Sequence, residues 1–253
     1  MTEMDRAMPF CIRLADMVIR IEPMYDYIQE YCREYLTEEQ PVFTVRVEAE
    51  DIAFERERSE KVAEGCPPME FSDSYLETLA VYRYIAEQLP MRDIVLFHGS
   101  VIAVDGIGYL FTAKSGTGKS THTRLWRKLF GNRAVMVNDD KPLLKITQEE
   151  VFVYGTPWDG KHRLSTNISV PLKAICVLTR SEENFIEEIP PRDAYQMLLQ
   201  QSYRPMNRGT MIQTLKLIDE MMANTKFYRL GCNMNPEAAR VAFQGMNGER
   251  GED

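Results

Sequence analysis

The sequence predicts an α/β chain in which a small α+β N-terminal region, residues 1–90, precedes a larger P-loop domain, residues 91–253. Three observations carry that expectation. Short apolar runs recur from Ile94 onward, separated by hairpin signals and helical stretches. A glycine-rich stretch, Ser115-Gly116-Thr117-Gly118-Lys119-Ser120, lies between one such run and a helical pattern. The hairpins interrupt a strict strand–helix alternation, and no internal repeat is present.

Composition bounds the function classes. The chain has 253 residues, 44% of them hydrophobic and 27% charged, with no low-complexity segment, which suits a folded protein. Its net charge of −8 argues against a general nucleic-acid binder, while leaving room for a local positive pocket. No apolar run approaches the ~20 residues that cross a bilayer. The first residues, Met1-Thr2-Glu3-Met4-Asp5-Arg6, lack the basic-then-apolar order of a signal peptide. Cys11, Cys32, Cys66, Cys176 and Cys232 are widely spaced with no C-x-x-C pair, so buried thiols are expected rather than a disulfide framework or zinc site. Together these features predict a cytoplasmic protein with no membrane partner.

In the N-terminal region, residues 10–21 read as extended, either one strand or two short ones, with Ile12, Leu14, Val18, Ile19 and Ile21 apolar. Pro23 opens a helical stretch to about Leu36, carrying Met24, Ile28, Tyr31, Cys32 and Tyr35 at helical spacing. Residues 42–47 alternate as a strand. Residues 48–69 mix acidic and basic side chains, end at Cys66-Pro67-Pro68, and predict a solvated helix or loop. A helix is expected over 74–89, with Ser74 and Glu77 forming a capping box and Pro90 stopping it.

The second region opens with strands at 94–97 and 101–104, the turn Asp105-Gly106, and a return strand at 108–112. A helix from Lys119 to about Phe130 follows the glycine-rich loop and closes at Gly131 and Asn132. A strand at 134–137 ends in Asn138-Asp139-Asp140. A hairpin pairs 143–146 with 151–154, and 172–179 is another apolar strand. Helices at 191–202 and 210–223, a strand at 226–230, and a helix capped by Asn235 with Pro236 at its first position complete the pattern.

The P-loop motif requires G-x-x-x-x-G-K-[ST], and here Ala113 replaces the first glycine. Gly116 and Gly118 can take positive φ and turn successive backbone N–H groups inward, and the following helix adds its positive end. Ser115, Gly116, Thr117, Gly118, Lys119, Ser120 and Thr121 are therefore the expected nucleotide contacts, with Lys119 on the β- and γ-phosphates and the Ser120 hydroxyl on Mg²⁺. A metal-bound triphosphate also needs a carboxylate, and Asp139-Asp140 closes the next apolar strand. One aspartate holds Mg²⁺ and the other accepts a proton from an attacking hydroxyl; read as a surface feature, the same residues are a polar turn. His98 follows a strand, in Phe97-His98-Gly99-Ser100, where a histidine is structural or catalytic. His122, just inside the loop helix, is expected to face solvent or touch phosphate oxygens. In residues 154–167, rich in turn formers, Lys161 and Arg163 are cations suited to phosphate or to an acidic substrate group. Trp158 suits either base stacking or cover for a core edge.

These residues resemble a known family. Phe97-His98-Gly99-Ser100, the hairpin at Asp105-Gly106, the P-loop and Asp139-Asp140 are similar to the kinase domain of HPr kinase/phosphorylase. The nucleotide site of that family is related to ATP-dependent phosphoenolpyruvate carboxykinase. The resemblance spans roughly residues 95–179 and leaves the first ninety uncovered. It implies Mg²⁺-ATP, a hydroxyl acceptor, and an active centre containing His98 and Asp139, with Asp139 as base and Asp140 as metal carboxylate, or the two exchanged. The sequence departs from the family at Thr121, where an acidic residue usually follows the loop serine, and around Trp158, Lys161 and Arg163. These departures argue against phosphorylation of HPr itself and more strongly against the reverse phosphorylase reaction, and the nearer resemblance is to divergent HPr-kinase-like proteins, some of which act on peptide serines.

The expected function is an ATP-dependent kinase that transfers the γ-phosphate to a hydroxyl of a peptide, protein or small molecule. In that scheme Lys161 or Arg163 stabilises the transferring group, and the N-terminal region presents the acceptor. A non-catalytic ATP sensor or scaffold is the alternative, with a phosphoenolpyruvate-carboxykinase-like enzyme third. Apolar faces on the late helices leave a homo-oligomer open.

Overall fold

The computed structural model describes residues 6–62, 70–160 and 162–248. It divides into two compact units, Met1–Gln88 and Leu89–Asp253. The fold is mixed α/β.

In the first unit, β1 (Phe10–Leu14) and β2 (Met17–Glu22) form an antiparallel hairpin. Its two turn residues, Ala15 and Asp16, take positive φ of 46° and 64°, the twist that a two-residue hairpin favours. The helix expected from Pro23 to Leu36 is shorter than its periodicity suggests. It is reduced to α1 (Tyr27–Tyr31) and a 3-10 turn at Arg33–Tyr35, because Leu36–Thr37 leaves as β3 to pair with β1. With β4 (Phe43–Arg46) lying parallel to β2, the sheet runs β3-β1-β2-β4.

Two helices complete this unit, α2 (Ala49–Val62) and α3 (Asp73–Gln88). The expected solvated segment is thus helical as far as Val62; Cys66-Pro67-Pro68 lies outside the described residues. Nor is α2 held only by solvent. Arg83 of α3 donates through Nε to Glu55 at 2.6 Å and through Nη2 to Asp51 at 3.0 Å, and the Tyr84 hydroxyl donates to Asp51 at 2.6 Å. The expected capping box at Ser74 is displaced. Ser72 caps α3 by accepting from Tyr75 N at 3.2 Å, while buried Glu77 accepts from Met24 N and Tyr25 N at 2.5 and 3.1 Å. A buried carboxylate with two backbone donors to satisfy has no freedom to reach back to the helix start.

The second unit is built, among the described residues, on a nine-stranded sheet. In chain order its elements are β5 (Ile94–Leu96), β6 (Ser100–Val104), β7 (Ile107–Thr112), α4 (Lys119–Phe130), β8 (Ala134–Asn138), β9 (Leu143–Ile146) and β10 (Val151–Tyr154). They continue with β11 (Ser169–Arg180), β12 (Phe185–Ile189), α5 (Pro191–Gln201), α6 (Arg208–Asn224), β13 (Lys226–Cys232) and α7 (Glu237–Asn247). The strands run β5-β9-β10-β11-β7-β6-β8, and β13 joins β11 and β12.

The long β11 lies parallel to both β7 and β13, while β6 and β8 add antiparallel neighbours. Its pairing with β7 shifts register between Leu172 and Ala174. One extra residue reverses the facing of every later side chain. Val170 and Leu172 accordingly enter the core under α5 and α6, whereas Ala174, Cys176 and Leu178 enter the core under α4 and α7.

Several boundaries differ from the sequence reading. Helix α6 begins at Arg208 rather than Thr210, because the Asn207 side chain accepts from Gly209 N and Thr210 N. Asn235 does not cap α7: the helix starts at Glu237 with no side-chain cap, and Asn235 N donates to Asn233 Oδ1. Strand β12, antiparallel to β13, has no counterpart in the sequence reading. No helix among the described residues is long and apolar enough to cross a membrane. Cys11, Cys32, Cys176 and Cys232 are free thiols, and Cys66 lies outside the described residues.

Candidate functional site

Strand β7 ends at buried Thr112, whose hydroxyl donates to His98 O at 3.1 Å, and the chain then turns through residues 113–118 into α4. Ala113, where the motif has glycine, is fully buried. Gly116 and Gly118 take φ of 77° and 123°, conformations that β-carbon-bearing residues avoid. Open space surrounds a Cβ at Gly116, so the glycine there serves backbone conformation rather than packing. Two contacts fix the turn: Thr117 donates through N and Oγ1 to Lys114 O at 3.2 and 2.8 Å, and Arg180 Nη2 donates to Gly116 O at 2.7 Å. Helix α4 has no side-chain cap, leaving its first-turn N–H groups for something outside the helix.

Lys119 opens that helix, with Nζ donating to Ala113 O at 3.3 Å. Burial pushes its pKa down; Lys141 pushes the same way, while Asp140 and Asp139 oppose without cancelling. A partly desolvated ammonium beside two carboxylates is a group that gains from an added anion. Ser115 and Ser120 are exposed, and Thr121 is half-buried.

The end of β8 supplies the acids. Asn138 is fully buried; its Nδ2 donates to Thr156 O and Oγ1 at 3.1 and 3.0 Å. Its Oδ1 accepts from Asp140 N at 2.9 Å and Lys141 N at 2.6 Å, an Asx turn that sets the two aspartates in separate environments. Asp139 is buried and accepts from Ser100 Oγ at 2.6 Å, and Ser100 in turn lies 3.1 Å from Thr123 Oγ1. Gly160 packs directly on Asp139, so that a Cβ there would stand 2.9 Å from Oδ2.

Asp140 instead faces His98 Nε2 at 3.3 Å and Lys141 Nζ at 3.5 Å. Burial pushes the Asp140 carboxyl up, but the His98 hydrogen bond and the charges of Lys141, His98 and Lys119 outweigh it and hold it below the usual range. His98 Nδ1 meets Gln201 Oε1 at 2.5 Å, and His98 N donates to Gln201 O at 2.7 Å, tying this strand end to the last turn of α5.

A cavity of about 440 Å³ runs along the flank of α4, walled by Ser120, Thr123, Arg124, Arg127, Asp139 and His162 among others. Asp139 and Ser120 therefore share one cavity, whereas Asp140 and His98 are not among its lining residues. Arg163 is exposed, adopts φ of 47°, and donates its N–H to Gly160 O; it does not line this cavity, and Lys161 lies outside the described residues.

One sequence expectation is overturned and one open choice is decided. His122 neither faces solvent nor points at phosphate: it is 2% exposed, stands edge-on to Phe111, and accepts from Trp126 Nε1 at 3.0 Å. Burial pushes its pKa down to about 4. Trp158, 6% exposed, is a core side chain, which decides between the two roles open to it. The sequence reading also missed Ser100 and Gln201, the partners of Asp139 and His98, and the arginines Arg124 and Arg127. Only the arginines carried a readable signal, since residues 120, 123, 124 and 127 share one face of a helix.

The family model for SynChlorMet cassette protein ScmC matches residues 69–235, and the chain belongs to that family. No curated protein matches it. Among solved structures, the HPr(Ser) kinase/phosphatase from Coxiella burnetii is similar at a TM-score of 0.33 and 10% identity, covering 60% of this chain and 95% of that one. A likeness of that depth shows neither activity nor substrate.

Proposed function

We propose that this chain is an ATP-dependent kinase that moves the γ-phosphate of Mg²⁺-ATP to a hydroxyl acceptor. One observation carries the reading: a loop with two positive-φ glycines delivers Lys119 and Ser120 at an uncapped helix start, and Ser120 shares an open cavity with the buried carboxylate of Asp139. Ser115, Gly116, Thr117, Gly118 and Thr121 complete the cradle, their N–H groups meeting phosphate oxygens with the positive end of α4 behind them. Lys119, partly desolvated, neutralises the β- and γ-phosphates.

The donor set suits magnesium. Among the described residues no cluster of three or more His, Cys, Asp or Glu side chains forms a closed metal cage. Magnesium takes one or two carboxylates and finds its remaining ligands in phosphates and water. Ser120 and Asp140 would hold it, and the ion would supply charge neutralisation on the phosphates.

Asp139 is the base. Ser100 satisfies Oδ1 and fixes the carboxylate's orientation toward the cavity. It takes the proton of the acceptor hydroxyl as the acceptor's O–P bond forms and the bond from Pγ to the ADP oxygen breaks. His98, between Asp140 and Gln201, positions Asp140 rather than touching the acceptor.

The test follows ADP formation and acceptor phosphorylation with Mg²⁺-ATP and a panel of serine peptides and small hydroxyl compounds. Asp139→Asn should lower turnover by about 100-fold or more, the scale of general base catalysis, while nucleotide affinity persists. Turnover of Asp139→Asn equal to wild type removes the proposed base. Tight nucleotide binding with no turnover on any acceptor favours an ATP sensor instead.

A further inference from the structure

The cavity beside Asp139 has a second chemical character that the phosphotransfer scheme does not use. Arg124 and Arg127, three positions apart on α4 and hence on one helix face, both line it. Several other arginines, Arg6, Arg83, Arg133 and Arg229 among them, each meet a carboxylate. Among the described residues, Arg124 and Arg127 have no carboxylate within ion-pair distance. Arg127 Nε is in addition buried with no hydrogen-bond partner among them. Two guanidinium forks on one cavity wall, one with a buried donor left open, form a receptor for an oxyanion, whose planar or tetrahedral oxygens match the fork.

We propose that this cavity selects an acceptor bearing its own anionic group, a carboxylate or a phosphate monoester, held by Arg124 and Arg127 while its hydroxyl lies at Asp139. The inference rests on the kinase reading and specifies its substrate class. An axial rise of about 1.5 Å per residue sets Arg124 roughly 6 Å and Arg127 roughly 10 Å beyond Ser120 along α4, and long helical side chains lean back toward the N-terminus. A hydroxyl and an anion separated by a few bonds bridge that distance, and about 440 Å³ suits a small molecule. The acid that accepts the proton and the cations that bind the anion line the same cavity. The same cations draw an anionic acceptor into a chain whose net charge of −8 otherwise repels it.

The test uses the full chain and three probes: D-glycerate, carrying a hydroxyl and a carboxylate; glycerol 3-phosphate, carrying a hydroxyl and a phosphate; and glycerol as the uncharged control. Each is titrated into free protein and into protein saturated with a Mg²⁺-bound non-hydrolysable ATP analogue. The expected result is binding of at least one anionic probe to the nucleotide-loaded protein, with glycerol much weaker. Arg124→Gln and Arg127→Gln should each weaken that binding by about 10- to 100-fold and leave the affinity for the nucleotide analogue unchanged. The two anionic probes tell carboxylate from phosphate. Arg124 is exposed, so its variant keeps the fold, and a thermal melt checks the Arg127 variant.

The proposal is overturned by any of three results: neither anion binding the loaded protein, unchanged anion affinity in both variants, or an equal loss of nucleotide affinity that assigns the arginines to ATP. Anion binding that nucleotide displaces also counts against it, because the anion is then in the loop. If the nucleotide analogue itself fails to bind, the kinase reading falls, while titration of free protein still reports on the arginine wall.

Discussion

His122 and Trp126 show how a single buried pair couples this fold to pH. The imidazole accepts from the indole N–H inside the core under α4, and burial pushes its pKa from 6.5 to about 4. A group whose folded pKa is depressed favours folding above its unfolded pKa and loses that contribution as pH falls toward the folded value. For His122 the window runs from pH 6.5 down to about 4, and the contribution is roughly 3 kcal/mol. Denaturant unfolding across that range should show wild type losing stability more steeply than His122→Gln, in which no group titrates at that position. Parallel curves for the two proteins would place the imidazole in water. The signal for this burial was present in the sequence: His122, Leu125 and Trp126 sit at i, i+3 and i+4 of an apolar face. Proximity to the glycine-rich loop drew the reading toward phosphate instead. Asp139 and Asp140 were legible as an acidic pair, but their separation depends on the adjacent Asn138 together with Ser100 and Gly160, which come from two other places in the chain. No local pattern encodes that convergence.

At the scale of elements, the loop from β7 to α4 depends on backbone conformation more than on packing. Gly118 at φ of 123° has only Thr121 Cβ near its missing side chain, at 4.0 Å. Gly118→Ala should therefore cost about 1–3 kcal/mol through strain alone and misdirect the first N–H groups of α4. The check is a pair of measurements, a melt and a nucleotide titration: modest destabilisation should accompany a large loss of affinity. Full affinity in Gly118→Ala would mean that those amides are not used. Strands β5 to β10 were legible because they are short, apolar and bounded by turns, and β11 through its apolar run, which the reading began at 172 rather than Ser169. Strand β12 was not, since Glu187 and Glu188 are exposed on an edge strand whose pairing with β13 comes from tertiary placement. In α1 the reverse occurred: helical periodicity continued past Tyr31, but pairing of Leu36 and Thr37 with β1 ended the helix early.

For the whole molecule, every residue of the proposed nucleotide and acceptor sites falls within the unit Leu89–Asp253, and the acidic net charge coexists with a cavity walled by Arg124 and Arg127. The arginine face was encoded in the helix period, but which face of α4 meets a cavity follows from where Asp139, His162 and Leu164 lie against it. The account as a whole depends on the loop before α4 holding nucleotide phosphates. The most direct measurement is calorimetric titration of the full chain with a Mg²⁺-bound non-hydrolysable ATP analogue, alongside Lys119→Ala. The account predicts saturable one-to-one binding that Lys119→Ala weakens by about 10- to 100-fold, the worth of one charge-assisted contact, with the fold unchanged. No heat of binding in wild type, or equal affinity in the two proteins, would contradict it.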